Sequence, residues 1–127
     1  MAADDGPVIP GIPDDPRIFD IRDEDGTYLC PACGFPGHFR GDSYDENGGL
    51  AGTGCCPCCL WEPGLTDVPA TGSPWPTADQ ILAILRRYRG SWEKYGMPWN
   101  GDYRNIPSGW DGTAQLQHLF HVAPFVR

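Results

Sequence analysis

The clearest hydrophobic pattern in the chain lies between residues 77 and 95. Apolar side chains recur there at alternating spacings of four and three, namely at Ile81, Leu85, Tyr88, Trp92 and Tyr95. A stripe of this period is typical of an amphipathic helix. Thr77 and Gln80 have the spacing of a capping box, and Gly96 stands where a helix commonly ends. The pattern predicts one helix from Thr77, as its N-cap, to about Tyr95.

Shorter apolar stretches, separated by turn residues, fill the first half of the chain. Residues 17–21 and 27–29 have strand character, and residues 23–26 between them (Asp-Glu-Asp-Gly) have the composition of a turn. They predict a β-hairpin that leads into Cys30. The Gly-rich segment 34–54 predicts a loop that contains a short strand.

The C-terminal part of the chain has a weaker pattern. Residues 97–112 are rich in turn residues, and we expect Trp99, Tyr103 and Trp110 to be exposed there. Leu116, Leu119 and Phe120 favour a short helix. Residues 121–123 are also compatible with a strand, so the pattern leaves both alternatives open.

Four of the six cysteines form two Cys-x-x-Cys turns, which deliver two thiolates each to one point. The first turn contains Cys30 and Cys33. In the second turn, two pairs have the correct spacing: Cys55 with Cys58, and Cys56 with Cys59. Pro31 directly follows the first cysteine of the first turn, and Pro57 directly follows Cys56. The equivalent prolines favour Cys30, Cys33, Cys56 and Cys59 as the metal ligands.

A site of four thiolates leaves no coordination position for water or substrate, which is typical of structural rather than catalytic zinc. Iron is the less favoured alternative, because all-sulfur tetrahedral sites suit both metals. The expected fold is a small, loop-rich α+β protein. In it, a four-cysteine zinc ribbon with short antiparallel hairpins packs on one amphipathic helix.

The length of 127 residues predicts a single domain. Its expected regions are an acidic, Pro-rich arm (1–16), the zinc-ribbon region (17–65), a connector (66–76), and the helix with a C-terminal extension (77–127). Gly and Pro number 17 and 14. A chain so rich in loop residues builds only a small core, so a bound metal would supply stability that the core lacks.

The formal net charge is −8. A surface with this much negative charge repels the phosphate backbones of nucleic acids and favours a basic protein partner. The chain shows no signal peptide, and no segment approaches the roughly twenty apolar residues of a membrane span. We therefore expect a cytoplasmic protein without membrane contact. Its cysteines would be reduced and available for metal rather than paired in disulfides.

Three segments resemble a known family. Residues 28–35 read Tyr-Leu-Cys-Pro-Ala-Cys-Gly-Phe, residues 56–62 read Cys-Pro-Cys-Cys-Leu-Trp-Glu, and residues 91–96 resemble the helix end of the same family. The chain is thus similar to the bacterial cysteine-rich CPCC family over residues 28–96. The resemblance implies the same four ligands. It also implies an association with bacterial toxin systems and hence a role as an immunity protein. Pro63, Cys55, Cys58 and the extension after Gly96 depart from the family pattern.

These observations favour a non-enzymatic, zinc-stabilised binding protein, most concretely one that neutralises a basic bacterial toxin. The expected partner contacts are acidic residues of the long loop and aromatic residues near the C-terminus, namely Asp42, Asp45, Glu46, Trp99, Tyr103 and Trp110. One alternative is a nucleic-acid-binding zinc ribbon, whose basic cluster would be Arg86, Arg87, Arg89 and Lys94 on the helix. The other is a redox sensor that uses Cys55 and Cys58, although we expect nothing nearby to lower their pKa.

Overall fold

A computed structural model describes residues 14–70 and 75–127 of the chain. The described part is a small α+β structure with a two-stranded antiparallel sheet, two α-helices and three short 3₁₀ helices. Strands β1 (Tyr44–Asp45) and β2 (Gly48–Gly49) form the sheet, and the helices are α1 (Ala78–Lys94) and α2 (Gly112–Val122). Most of the predicted arm 1–16 and residues 71–74 of the predicted connector lie outside the described residues.

Helix α1 confirms the strongest hydrophobic pattern of the sequence. The side chain of Thr77 accepts a hydrogen bond from the Gln80 amide, and the Gln80 side chain accepts one from the Thr77 amide, which completes a capping box. The helix ends at Lys94, and Gly96 follows with a φ of 90°. Its buried face carries Ile81, Leu85 and Trp92 of the predicted stripe, whereas Tyr95 follows the helix and is exposed. Neither α-helix in the described part has the length and hydropathy that a membrane span requires.

The predicted strand at residues 17–21 is wrong. Pro16–Phe19 form a 3₁₀ helix, because Pro16 fixes a helical φ and the Asp15 side chain accepts a hydrogen bond from the Arg17 amide. Strand pairing begins only after this helix. The Leu29 amide donates to the Ile21 carbonyl at 2.9 Å, and Arg22 and Tyr28 form an isolated bridge. The hairpin that leads into Cys30 is therefore shorter than predicted.

The loop 34–54 contains the predicted short strand, and this strand forms a hairpin with a second one. Tyr44 pairs with Gly49, and Asp45 pairs with Gly48. Gly49 lies so close to the backbone of Gly64 that a Cβ atom there would overlap it. The close approach fixes the sheet against the segment that follows the second cysteine turn.

Helix α2 resolves the alternative that the sequence left open at the C-terminus. The Asp111 side chain caps it by accepting hydrogen bonds from the Thr113 and Ala114 amides, and Leu116 and Leu119 are buried. Residues 121 and 122 belong to this helix, and a 3₁₀ helix over Pro124–Val126 follows it. The prediction of a single helix is therefore corrected to two.

The core contains a hydrogen-bonded network in addition to apolar side chains. Trp61 and Trp92 are both buried. The Trp61 indole donates to the Tyr44 hydroxyl at 3.1 Å, and the Asp67 carboxylate accepts a hydrogen bond from the Gly64 amide at 2.9 Å. Asp67 is fully buried although it falls in the predicted connector. Part of the connector therefore packs into the core.

Asp20 is a half-buried carboxyl between the 3₁₀ helix and the sheet. Its Oδ1 accepts a hydrogen bond from the Ser43 amide at 2.6 Å. Burial raises the pKa of the Asp20 carboxyl to about 6 from 3.8, and nearby Asp42 adds to this, while the Ser43 and Tyr44 amides oppose it. The folded state therefore binds this proton more tightly than the unfolded chain does.

We predict that the Asp20 proton makes the protein more stable in mild acid. Its contribution is full below about pH 4 and is lost as the pH rises through about 6. In Asp20→Asn the contribution is absent at every pH. The free energies of unfolding of Asp20→Asn and of wild type are measured by denaturant titration with saturating zinc. The value for Asp20→Asn minus the value for wild type should rise between pH 5 and pH 7.5. Glu24→Gln, at an exposed turn position, is the control and should show no such rise. A flat difference for Asp20→Asn would contradict the prediction.

Candidate metal centre

The two cysteine turns have the same backbone hydrogen bonds. The Gly34 amide donates to the Cys30 carbonyl and the Leu60 amide donates to the Cys56 carbonyl, each at 2.8 Å. The amides of the two leading cysteines donate in return to Phe35 and Trp61, at 3.0 and 2.8 Å. Gly34 and Leu60, which follow the second cysteine of their turns, both have positive φ, at 86° and 69°. The chain therefore builds one ligand turn twice.

The turns bring the four predicted ligands together. The Sγ atoms of Cys30, Cys33, Cys56 and Cys59 all lie within 4.8 Å of one another. The Cys30 and Cys59 sulfurs are 3.7 Å apart, and the Cys33 and Cys56 sulfurs are 3.6 Å apart. Four sulfurs bound at about 2.3 Å around a tetrahedral ion would lie about 3.8 Å apart. The spacing of these two pairs therefore matches that of sulfurs around a tetrahedral metal ion.

All four of these cysteines are buried, with at most 1% of their surface exposed. Burial raises the pKa of the Cys30, Cys33 and Cys56 thiols above the ordinary value. A buried thiolate is costly unless a cation compensates its charge. The donor set is thus four soft sulfur atoms in a dry pocket, a chemistry that suits a zinc or iron ion.

Side chains from the second half of the chain hold the turns in place, and no sequence pattern predicts this role for them. The Gln115 side-chain amide in α2 donates to the Cys33 carbonyl at 3.0 Å and to the Cys58 sulfur at 3.6 Å. Its oxygen accepts a hydrogen bond from the Trp110 indole at 2.8 Å. The Tyr88 hydroxyl in α1 donates to the Cys59 carbonyl at 2.6 Å. One glutamine thus contacts both turns, and each helix contacts one ligand residue.

Cys55 and Cys58 occupy different environments. Cys55 is exposed, whereas Cys58 is buried beside the cluster. The expectation that nothing nearby lowers their pKa is wrong for Cys58. A hydrogen bond with Cys33 lowers the pKa of the Cys58 thiol, and the Gln115 amide acts in the same direction, while burial opposes both.

The histidines of the described part do not belong to the sulfur cluster. His118 lies 3.8 Å from the Asp23 carboxylate. That carboxylate also accepts hydrogen bonds from the Asp25 and Thr27 amides. Asp23 therefore has a structural role in its turn.

The acidic residues proposed as partner contacts lie on and beside the β1–β2 hairpin. Glu46 is exposed in the turn, and Asp45 accepts a hydrogen bond from the Asn47 amide at 2.8 Å. Asp42 is exposed, but its carboxylate accepts a hydrogen bond from the Tyr28 hydroxyl at 2.8 Å. The contact role of these residues stays a prediction.

The aromatic residues proposed as partner contacts differ in exposure. Tyr103 is exposed as expected, with 78% of its surface accessible. Trp99 and Trp110 are half-buried instead, because their rings pack edge to face at 5.5 Å and Trp99 also packs on Phe35 at 5.3 Å. The expected exposure of the two tryptophans is therefore corrected.

The basic cluster on α1 is also less exposed than predicted. Arg89 is buried, donates to the Val126 carbonyl and lies 4.8 Å from the Phe120 ring centroid. Arg86 donates to the Phe125 carbonyl at 3.0 Å. Two of the four positive charges thus anchor the C-terminal 3₁₀ helix.

We predict that substitution changes stability unequally at the two equivalent positions Gly34 and Leu60. A Cβ atom at Gly34 would lie 2.7 Å from the Gln115 carbonyl oxygen and 2.9 Å from the Leu119 Cβ. Gly34→Ala should therefore destabilise the fold by about 1–3 kcal/mol. Leu60→Gly should stay within about 1 kcal/mol of wild type, because relief of the positive φ offsets the added backbone entropy. Denaturant unfolding at a fixed zinc concentration measures both. An equal loss in the two variants would contradict the prediction.

No family model, no curated protein and no solved structure matches the chain. The similarity to the CPCC family therefore stays a prediction that rests on residues 28–35, 56–62 and 91–96.

Proposed function

We propose that this chain is a non-enzymatic protein that is stabilised by one zinc ion and binds a basic protein partner. The observation that carries the proposal is the closed cluster of four buried thiols. Catalytic zinc keeps one position for water or substrate, whereas a four-cysteine set occupies all four. The metal would therefore act in folding, and function would reside on the surface that the metal stabilises.

Zinc is the proposed metal, and the two turns with their hairpins would form a zinc ribbon. Iron suits the same donor set, so a metal analysis decides between the two. With zinc bound, four thiolates and one divalent cation carry a net charge of about −2, which adds to the acidic surface.

The proposed partner is a basic protein. Lys and Arg are absent from residues 41–85, whereas acidic residues recur there, including Asp42, Asp45 and Glu46. An acidic surface accelerates association with a basic partner and repels nucleic acid. The engagement of Arg86 and Arg89 with the C-terminal 3₁₀ helix further disfavours nucleic-acid binding.

The resemblance to the CPCC family gives this proposal its concrete form. It implies that the basic partner is a bacterial toxin and that the chain neutralises this toxin in the cytoplasm as an immunity protein. A binding protein of this kind needs no catalytic residue of its own. Its requirement is a rigid surface, which a metal-stabilised loop region provides.

Adjacent cysteines allow a matched test of the metal assignment. We predict that wild type contains one zinc ion per chain and that Cys56→Ser and Cys59→Ser lose the metal. The neighbouring variants Cys55→Ser and Cys58→Ser should keep it, because those sulfurs are outside the four-thiol cluster. Native mass spectrometry counts the metal, and near-UV circular dichroism follows the fold. Metal loss in Cys55→Ser with retention in Cys56→Ser would contradict the assignment. So would an unchanged dichroism spectrum after chelation.

A second test concerns the partner. We predict that the tagged protein captures one basic protein, in a stoichiometric complex, from nuclease-treated extracts of the cells that encode it. The double variant Asp45→Asn/Glu46→Gln should then bind that protein with an association rate reduced about tenfold or more at low salt, and with a weaker salt dependence.

The matched control for this test is Glu24→Gln/Asp25→Asn, which removes the same charge from another exposed turn. It should change the association rate much less. Equal effects of the two double variants would mean that net charge alone steers binding. Capture of no protein would count against the proposed function itself.

A further inference from the structure

A fifth sulfur lies beside the four-thiol cluster. Cys58 belongs to the same turn as the predicted ligands Cys56 and Cys59, and it is fully buried, with 0% of its surface exposed. Its sulfur is outside the set of four atoms that lie within 4.8 Å of one another. The proposed metal centre therefore leaves one buried thiol without a role in binding.

Two side chains form hydrogen bonds with the Cys58 sulfur. The Gln115 side-chain amide donates to it at 3.6 Å, and the Cys33 side chain forms a second hydrogen bond with it. The same Gln115 amide donates to the Cys33 carbonyl at 3.0 Å, so one side chain contacts both cysteines. The Cys58 backbone is also held, because its carbonyl accepts a hydrogen bond from the Asn100 amide at 2.7 Å. Cys58 is thus fixed beside one particular ligand residue.

The neighbours of the other cysteines are different. The Cys30 sulfur lies 3.7 Å from the Cys59 sulfur, which is itself a predicted ligand. Cys55, the sixth cysteine of the chain, is exposed. Cys33, by contrast, has a buried thiol from outside the ligand set as a hydrogen-bond partner.

This contact allows one thiol to replace the other without a change of charge. With a metal bound, Cys33 would be a thiolate and Cys58 a thiol, so the Cys58 S–H would donate to the Cys33 sulfur. If the proton passes along this hydrogen bond, Cys58 becomes the thiolate and binds the metal, while Cys33 takes the proton and leaves the metal. Four thiolates still surround the metal, and the exchange consumes no oxidant or other reagent.

We propose that Cys58 is an alternative metal ligand that takes the place of Cys33. The inference rests on the proposed function, because it takes the bound metal from there. It goes further by assigning two ligand sets to one site, in which Cys30, Cys56 and Cys59 are joined either by Cys33 or by Cys58. Both sets consist of four soft thiolates and suit the same metals.

Cobalt(II) in place of zinc gives a direct test, because the thiolate-to-cobalt absorption grows with the number of bound thiolates. We expect Cys33→Ser to bind one cobalt ion with the absorption of wild type, since Cys58 supplies the fourth thiolate. The matched variant Cys30→Ser should bind cobalt at least about tenfold more weakly and show about three quarters of that absorption, because three thiolates remain.

Equal absorption and affinity in Cys33→Ser and Cys30→Ser would overturn the inference. A Cys33→Ser chain that stays unfolded in saturating cobalt counts as a chain that has lost its metal, and that result would overturn the inference too.

Two double variants identify the source of the fourth thiolate. Cys33→Ser/Cys58→Ser should show the weak affinity and the reduced absorption of Cys30→Ser. Cys33→Ser/Cys55→Ser removes the exposed thiol instead and should match Cys33→Ser in both measurements. A loss in the Cys55 double variant, or none in the Cys58 double variant, would mean that the fourth thiolate does not come from Cys58.

The two proposals fail in different ways. If wild type binds one metal ion through four thiolates but Cys33→Ser loses it, the alternative ligand is wrong and the proposed function stands. If wild type itself holds no metal, the proposed function fails first and the alternative ligand falls with it.

Discussion

Four sulfur atoms that meet in the interior are the constraint on which the rest of this structure depends. Their residues lie in two turns separated by more than twenty residues of Gly-rich loop, whose only regular structure is the short β1–β2 hairpin. Closing such a loop costs chain entropy, and burying four thiol groups without a cation opposes their ionisation. A bound metal would offset both costs at one point. We therefore propose that a fold with so little sheet and so many turns depends on that metal for its stability.

The helices support the four-cysteine cluster as well as forming the core. Helix α2 reaches both turns through Gln115, and α1 reaches Cys59 through Tyr88. Gly34 allows α2 to approach the first turn at a distance that any side chain would prevent. The sequence predicts that residues 97–127 are a C-terminal extension. In the structure they are part of the support around the two cysteine turns.

The predictable parts of the fold are those set by neighbours in sequence. The capping box at Thr77, the end of α1 before Gly96, and the two cysteine turns all follow from residues a few positions apart. The 3₁₀ helix at Pro16–Phe19 was missed because its apolar residues also fit a strand, and the local cap by Asp15 decided the outcome. The roles of Gln115 and Arg89 depend on groups more than thirty residues away. No local sequence pattern predicts such long-range contacts.

The order of the elements along the chain has a consequence for synthesis. All four clustered cysteines precede both α-helices, so the ribosome releases the complete ligand set before any residue of α1 or α2. A nascent chain that captures its metal at that stage would present a closed cluster as a template, and the helices would then fold onto it as they emerge. Metal capture would thus be an early step of biogenesis, and Gln115 would lock a centre that is already assembled.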